Sequence, residues 1–100
     1  MSKYGAYVKF TAKSGERQAL ADILLEAAAA AQTIADCEIY IINVSDDEPD
    51  AIWVTEVWSS AEAHQASLSQ PETKESISRA MPLIAGVESI PVMPLGGKGL

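Results

Sequence analysis

One hundred residues are enough for a single domain with a modest core, and a composition that is 48% hydrophobic and 21% charged, with five prolines and six glycines, is that of a chain folded throughout. Fourteen Asp and Glu against seven Lys and Arg give a net charge of -7, which argues against nucleic acid and anionic membrane surfaces as partners, because both are bound through clustered Lys and Arg. The single cysteine, Cys37, permits no internal disulfide, and the opening MSKYGAYVKF lacks the basic start and long apolar run of a secretory signal, so a cytoplasmic protein without a bilayer span is expected.

In chain order, residues 3–12 alternate with a period of two, placing Tyr4, Ala6, Val8 and Phe10 on one face and Tyr7, Lys9 and Thr11 on the other. Ser14 and Gly15 are expected to open a helix that runs to about Gln32, with Leu20, Ile23, Leu24, Ala27, Ala28 and Ala31 along one stripe. The small side chains of Ala27–Ala31 allow close approach to a sheet.

CEIYIINV, within residues 36–45, and AIWVTEVW, within residues 50–59, are rich in Ile, Val and aromatic residues and predict an antiparallel hairpin joined by the acidic turn DDEPD. That turn lacks the ligand spacing and central glycine of an EF-hand loop, so a solvated turn is expected and no metal site. A further helix is expected from about Ser60, with Ser59 and Glu62 in capping-box spacing. Pro71 then opens another helical segment, with Ile77, Met81 and Ile84 as apolar packing positions, a bend near Pro82 and Gly86 as its stop. A last strand is expected over residues 87–95, where Pro91 and Pro94 suit an edge. The glycine-rich tail Gly96–Gly99 lacks P-loop spacing and is expected to be an arm reaching a partner subunit.

The order strand, helix, strand, strand, helix, strand defines an α+β domain, residues 1–100, of ferredoxin-like βαββαβ topology with the second helix broken in two. Its strands are apolar on both faces: Ile39 and Ile41 oppose Tyr40 and Ile42, and Trp53 and Val57 oppose Ile52 and Val54. Two helices cover only one side of such a sheet, which predicts a homodimer packed sheet on sheet.

Chemistry concentrates in Ile52–Ser67, IWVTEVWSSAEAHQAS, where a strand end, Trp58, a helix start and the only histidine, His64, fall together. Histidine exchanges protons near neutral pH, which makes His64 the candidate acid or base. Glu56 shares the strand face of Ile52, Val54 and Trp58 and is a candidate buried carboxylate; Tyr40 and Asn43 are expected to line the same cavity as substrate-binding groups. Cys37 has no Cys or His neighbour at ligand spacing.

The strand ending VTEVW, then SSAEAHQASL, a proline and an amphipathic helix, together with CEIYIINV, RAMPLIAG and the GGKGL tail, resemble the antibiotic biosynthesis monooxygenase superfamily over almost the whole chain, and within it the small quinol monooxygenases. The resemblance implies a dimeric α+β barrel that oxidises a small quinol or polyphenol with O2 and no metal or flavin cofactor. In that frame Trp58 matches the family tryptophan and would stack on the substrate or donate its indole N–H to a developing oxyanion. His64 falls six residues later, where some members carry tyrosine, and would accept the phenolic proton. Val54 and Ile77 stand where members acting on anthrones carry asparagine and arginine, and Ser67 where many carry histidine. The alternative function is a non-catalytic dimeric barrel that binds an apolar metabolite; a third is a structural assembly module with a filled interior.

Overall fold

The computed structural model describes residues 2–100. β1 (Tyr4–Ala12), α1 (Arg17–Ala31), β2 (Cys37–Val44), β3 (Ala51–Trp58), α2 (Ala61–Ser67), α3 (Pro71–Ala80), a 3-10 turn at Met81–Leu83 and β4 (Ile84–Val92) follow in that order. The strands form one four-stranded sheet in the order β2-β3-β1-β4, with every neighbouring pair antiparallel. This is the ferredoxin-like α+β topology, with its second helix divided between α2 and α3. The sheet of one chain is open, not closed into a barrel.

Two central strands set the register that positions the site. β1 and β3 pair Tyr4 with Trp58, Ala6 with Glu56, Val8 with Val54 and Phe10 with Ile52. β2 adds Tyr40 opposite Glu56 and Ile42 opposite Val54. Directly opposed residues project to the same side of a sheet, so these residues make up one face, and α1 lies over it. Leu20, Ala21 and Leu24 of α1 pack with Ile52, Val54, Ala12 and Ala80 in the core, flanked by Val8, Phe10, Tyr40 and Ile42. Leu20, Ile52 and Val54 are fully buried.

Several local expectations shift by a few residues, each for an identifiable reason. α1 begins at Arg17, after a turn in which Gly15 takes a positive φ of 79°, a conformation that glycine adopts without strain. Ser60, not Ser59, caps α2: its Oγ accepts from the Ala63 amide at 3.1 Å, while the Ser59 hydroxyl donates to Asp36 Oδ1 at 2.6 Å. Pro82 lacks the amide hydrogen that a continuing helix needs, and the chain tightens into the 3-10 turn before entering β4 at Ile84. Gly86 therefore lies inside the last strand, opposite Thr11, instead of stopping a helix. Met81 and Ile77, expected to pack, are 62% and 45% exposed, and Ala80 is the buried residue of α3.

The acidic turn is braced from outside. Arg17 Nη1 donates to the carbonyls of Ser45 and Glu48 at 2.9 and 3.2 Å, and Lys9 Nζ meets Glu48 Oε1 at 2.9 Å. At the other end, Pro94 folds back over Gly5 of its own chain, where an added Cβ would come within 3.0 Å of the proline ring; Leu95 is 96% exposed. No helix among the described residues is long and apolar enough to cross a membrane.

Candidate functional site

β3 delivers Glu56 and Trp58 to the helix-facing side, and α2 brings His64 back over them. The Trp58 indole N–H donates to Glu56 Oε1 at 2.8 Å, and His64 Nε2 stands 3.5 Å from the same oxygen. The Trp58 and His64 rings meet edge to face, with centroids 5.6 Å apart. On its other side His64 stacks on Tyr4, at 4.7 Å between centroids and 25° between planes. Tyr4 arrives there because β1 pairs it with Trp58. One carboxylate oxygen thus accepts the indole hydrogen and faces the imidazole nitrogen, and two aromatic rings bracket the imidazole.

Burial separates the roles of these groups. Glu56 is 8% exposed and Trp58 4%, whereas the His64 side chain keeps 21%. A buried carboxylate is tolerated when hydrogen bonded or paired with a cation; Glu56 has the indole hydrogen and, when His64 is protonated, an imidazolium. The indole hydrogen is already committed to Glu56, and Trp58 as a whole is almost completely enclosed. Tyr40, opposite Glu56 on β2, has its phenol pushed well above its ordinary value of 10, first by burial and then by the negative charge of Glu56. It is a neutral hydroxyl over the whole physiological range. Cys37, at the start of the same strand, has its thiol raised by burial and by Glu56 and Glu38, which keeps it protonated and a weak nucleophile.

The structure brings His64, Trp58, Glu56 and Tyr40 to one side of the sheet but places Asn43 on the other. Asn43 lies opposite Trp53, and its side-chain amide donates to Trp53 O at 3.1 Å and Thr55 Oγ1 at 3.3 Å. The expectation that Asn43 and Tyr40 line one cavity therefore fails: three residues apart on a strand, their side chains leave by opposite faces. Tyr4 was not singled out by its chemistry, although its phase with Ala6 and Val8 put it on this face. Next to Tyr4 a shallow cleft of about 370 Å³ opens between the start of α2 and the end of β4. A second, over the acidic turn, involves Thr11, Glu48 and Asp50 and is remote from the histidine. Among the described residues, no group of three or more His, Cys, Asp or Glu side chains is disposed to hold a metal ion.

A ferredoxin-like sheet carrying a buried carboxylate and a tryptophan beneath a helix-borne histidine defines a small α+β protein of known topology. Residues 4–79 match the antibiotic biosynthesis monooxygenase family, and the chain belongs to that family. A crystal structure from Chloroflexus aurantiacus, named as a candidate antibiotic biosynthesis monooxygenase, is 42% identical over 96% of each chain, with a TM-score of 0.88. A similarly named protein from Caulobacter crescentus shares the fold at 16% identity and a TM-score of 0.88, over 95% of this chain and 92% of its own. Rv0793 from Mycobacterium tuberculosis does so at 18% identity and 0.85, over 97% and 99%. No functionally curated protein matches.

Proposed function

We propose that this protein is a monooxygenase that oxidises a small quinol or polyphenol with O2 and no bound cofactor, using His64 as the base. The observation that carries the reading is the His64–Glu56 pair, at 3.5 Å, beneath the helical layer. A neutral imidazole takes the phenolic proton, and the adjacent carboxylate balances the imidazolium that forms. Trp58 holds Glu56 Oε1 in place for that task through its 2.8 Å hydrogen bond. The resulting aromatic anion is the reductant: one oxygen atom is inserted at a ring carbon, the other leaves as water, and the substrate supplies all four electrons. Family membership, and the 42% identical relative whose name carries the same activity, support the reaction class. Oxygen uptake with hydroquinone, naphthoquinols and anthrones, without added metal or flavin, tests it. Turnover that falls about 10²- to 10⁴-fold in His64→Ala is expected; no uptake across the panel, or unchanged turnover in that variant, overturns the proposal.

The enclosure of Trp58, at 4% exposure with its N–H committed, favours a second reading in which an apolar metabolite is bound without turnover. Tight binding of a naphthoquinol with no oxygen consumed selects it.

For the assembly, we infer a homodimer formed through the open side of the sheet. Tyr7, Ile41 and Ile90 are 55%, 52% and 62% exposed there, and their opposed registers make them neighbours of Thr55 and Trp53 on a continuous face. Apolar area of this kind marks an interaction surface. A second copy laid on it would complete a barrel while leaving the His64 side untouched.

A further inference from the structure

His64 must be held in place to work with Glu56, and its own helix supplies little of that hold. α2 is seven residues long and buries none of them. Beyond the helix ladder, its hydrogen bonds among the described residues are local: the Ala63 amide donates to Ser60 Oγ, the His64 amide to Ser60 O, the Ser67 hydroxyl to His64 O and the Leu68 amide to Gln65 O. A helix this short is marginal unless its side chains are packed. The 3.5 Å between His64 Nε2 and Glu56 Oε1 is longer than a well-formed hydrogen bond, and that oxygen already accepts the Trp58 indole hydrogen at 2.8 Å. Attraction to the carboxylate therefore leaves the plane of the imidazole undetermined.

We propose that Tyr4 is the positioning residue of the site: its aromatic face seats His64, and with it α2, against Glu56. The Tyr4 ring lies 4.7 Å from the imidazole and 25° from parallel, and strand pairing fixes where that ring stands, because the register sets Tyr4 opposite Trp58. A stacked imidazole keeps only rotation in its own plane, and the edge contact with Trp58 limits that. The contact is ring on ring, so phenylalanine can replace tyrosine here and an aliphatic residue cannot. The π face also attracts the imidazolium that forms when His64 takes a proton. The seating stands on these contacts; its consequence for turnover rests on the monooxygenase reading.

The test is NMR on the full chain, joined to quinol kinetics. In the unmodified protein, nuclear Overhauser contacts between the imidazole and the Tyr4 ring hydrogens are expected, with the imidazole hydrogens shifted upfield; free-histidine shifts without such contacts overturn the proposal before any variant is made. In Tyr4→Leu, and more strongly in Tyr4→Ala, the imidazole hydrogens are expected to move to free-histidine positions. Backbone order parameters over residues 64–68 should fall with them, from about 0.85 to below about 0.6, while Ala6 and Glu56 keep their strand pairing. Tyr4→Phe restores both readouts. With kcat and KM separated, Tyr4→Leu is expected to lower kcat for a quinol roughly 10- to 100-fold with KM held within about twofold, and Tyr4→Phe to recover it. Unchanged imidazole shifts in Tyr4→Leu, a Tyr4→Phe protein as impaired as Tyr4→Ala, or a displaced imidazole with undiminished kcat each overturn the proposal. If the NMR results hold and the unmodified chain oxidises no quinol, Tyr4 still seats His64 and the monooxygenase reading falls.

Discussion

Trp53 and Trp58 belong to the same strand, yet leave it on opposite faces and do different things. Trp58, under the helices, is 4% exposed, hydrogen bonded to Glu56 and in edge contact with His64. Trp53, on the open side, is only partly covered, with Lys9 Nζ 5.5 Å from its ring centroid. One residue type at two phases of one strand thus becomes the support of a buried polar cluster or part of an uncovered apolar surface. The helix-facing side is a finished interior whose buried charged residue is Glu56, and among the described residues no buried side-chain nitrogen or oxygen lacks a partner. The open side shows apolar residues without a layer over them.

Substitutions break this contrast at different strengths. Ile52→Ala, at a fully buried position, is expected to cost about 2–5 kcal/mol in urea unfolding, the range for truncating a core Ile. Ile41→Ala, on the open face at 52% exposure, should cost far less to the single chain; equal losses would mean that both faces are core. Glu56→Ala strands the buried Trp58 N–H and should cost about 1–3 kcal/mol. Glu56→Gln keeps an acceptor for that hydrogen, so it should be milder on unfolding while still lowering quinol turnover, because the charge beside His64 is gone. On the other side, if the proposed homodimer forms, Ile41→Asp is expected to convert it to monomer in light scattering at micromolar concentration while leaving the far-ultraviolet circular dichroism unchanged. A variant that stays dimeric would place the interface elsewhere.

Smaller effects come from the shifted groups near Glu56. Tyr40 has a raised folded-state value, so its contribution to stability is fully present below its ordinary value of 10 and is lost as pH rises from there through the folded value. The unfolding midpoint of the native chain should therefore drop more steeply above pH 10 than that of Tyr40→Phe; parallel curves would show that the phenol is not shielded. Smallest of all, Cys37 should react with iodoacetamide at mildly alkaline pH more slowly than a free thiol, since burial and two nearby carboxylates keep it protonated.

Much of this was legible in the chain because strand periodicity is a local property. Ile52, Val54, Glu56 and Trp58 share a face by spacing alone, as do Tyr4, Ala6 and Val8, and the buried face follows from them. The same rule, applied to Tyr40 and Asn43, separates them. Capping was not decided locally. Ser59 and Ser60 both suit the position, and the choice went to Ser60 because Asp36, far away in sequence, holds the Ser59 hydroxyl, while the Asp36 carbonyl accepts from the Ser59 amide at 2.8 Å. Gly86 suited a helix stop equally well, until Pro82 ended helical bonding earlier and β1 offered Gly86 a strand partner.

By itself the sequence determined the element order, the two-faced strands and the family, since these follow from periodicity, turn chemistry and motif spacing along the chain. The partners of each functional side chain were decided only in the folded molecule. Trp58 became a support for Glu56, and Tyr4 a wall against His64, because strand pairing joins residues 4 and 58 across most of the chain. Such long-range hydrogen bonds and ring contacts have no counterpart in local spacing; they exist only once the sheet register is set.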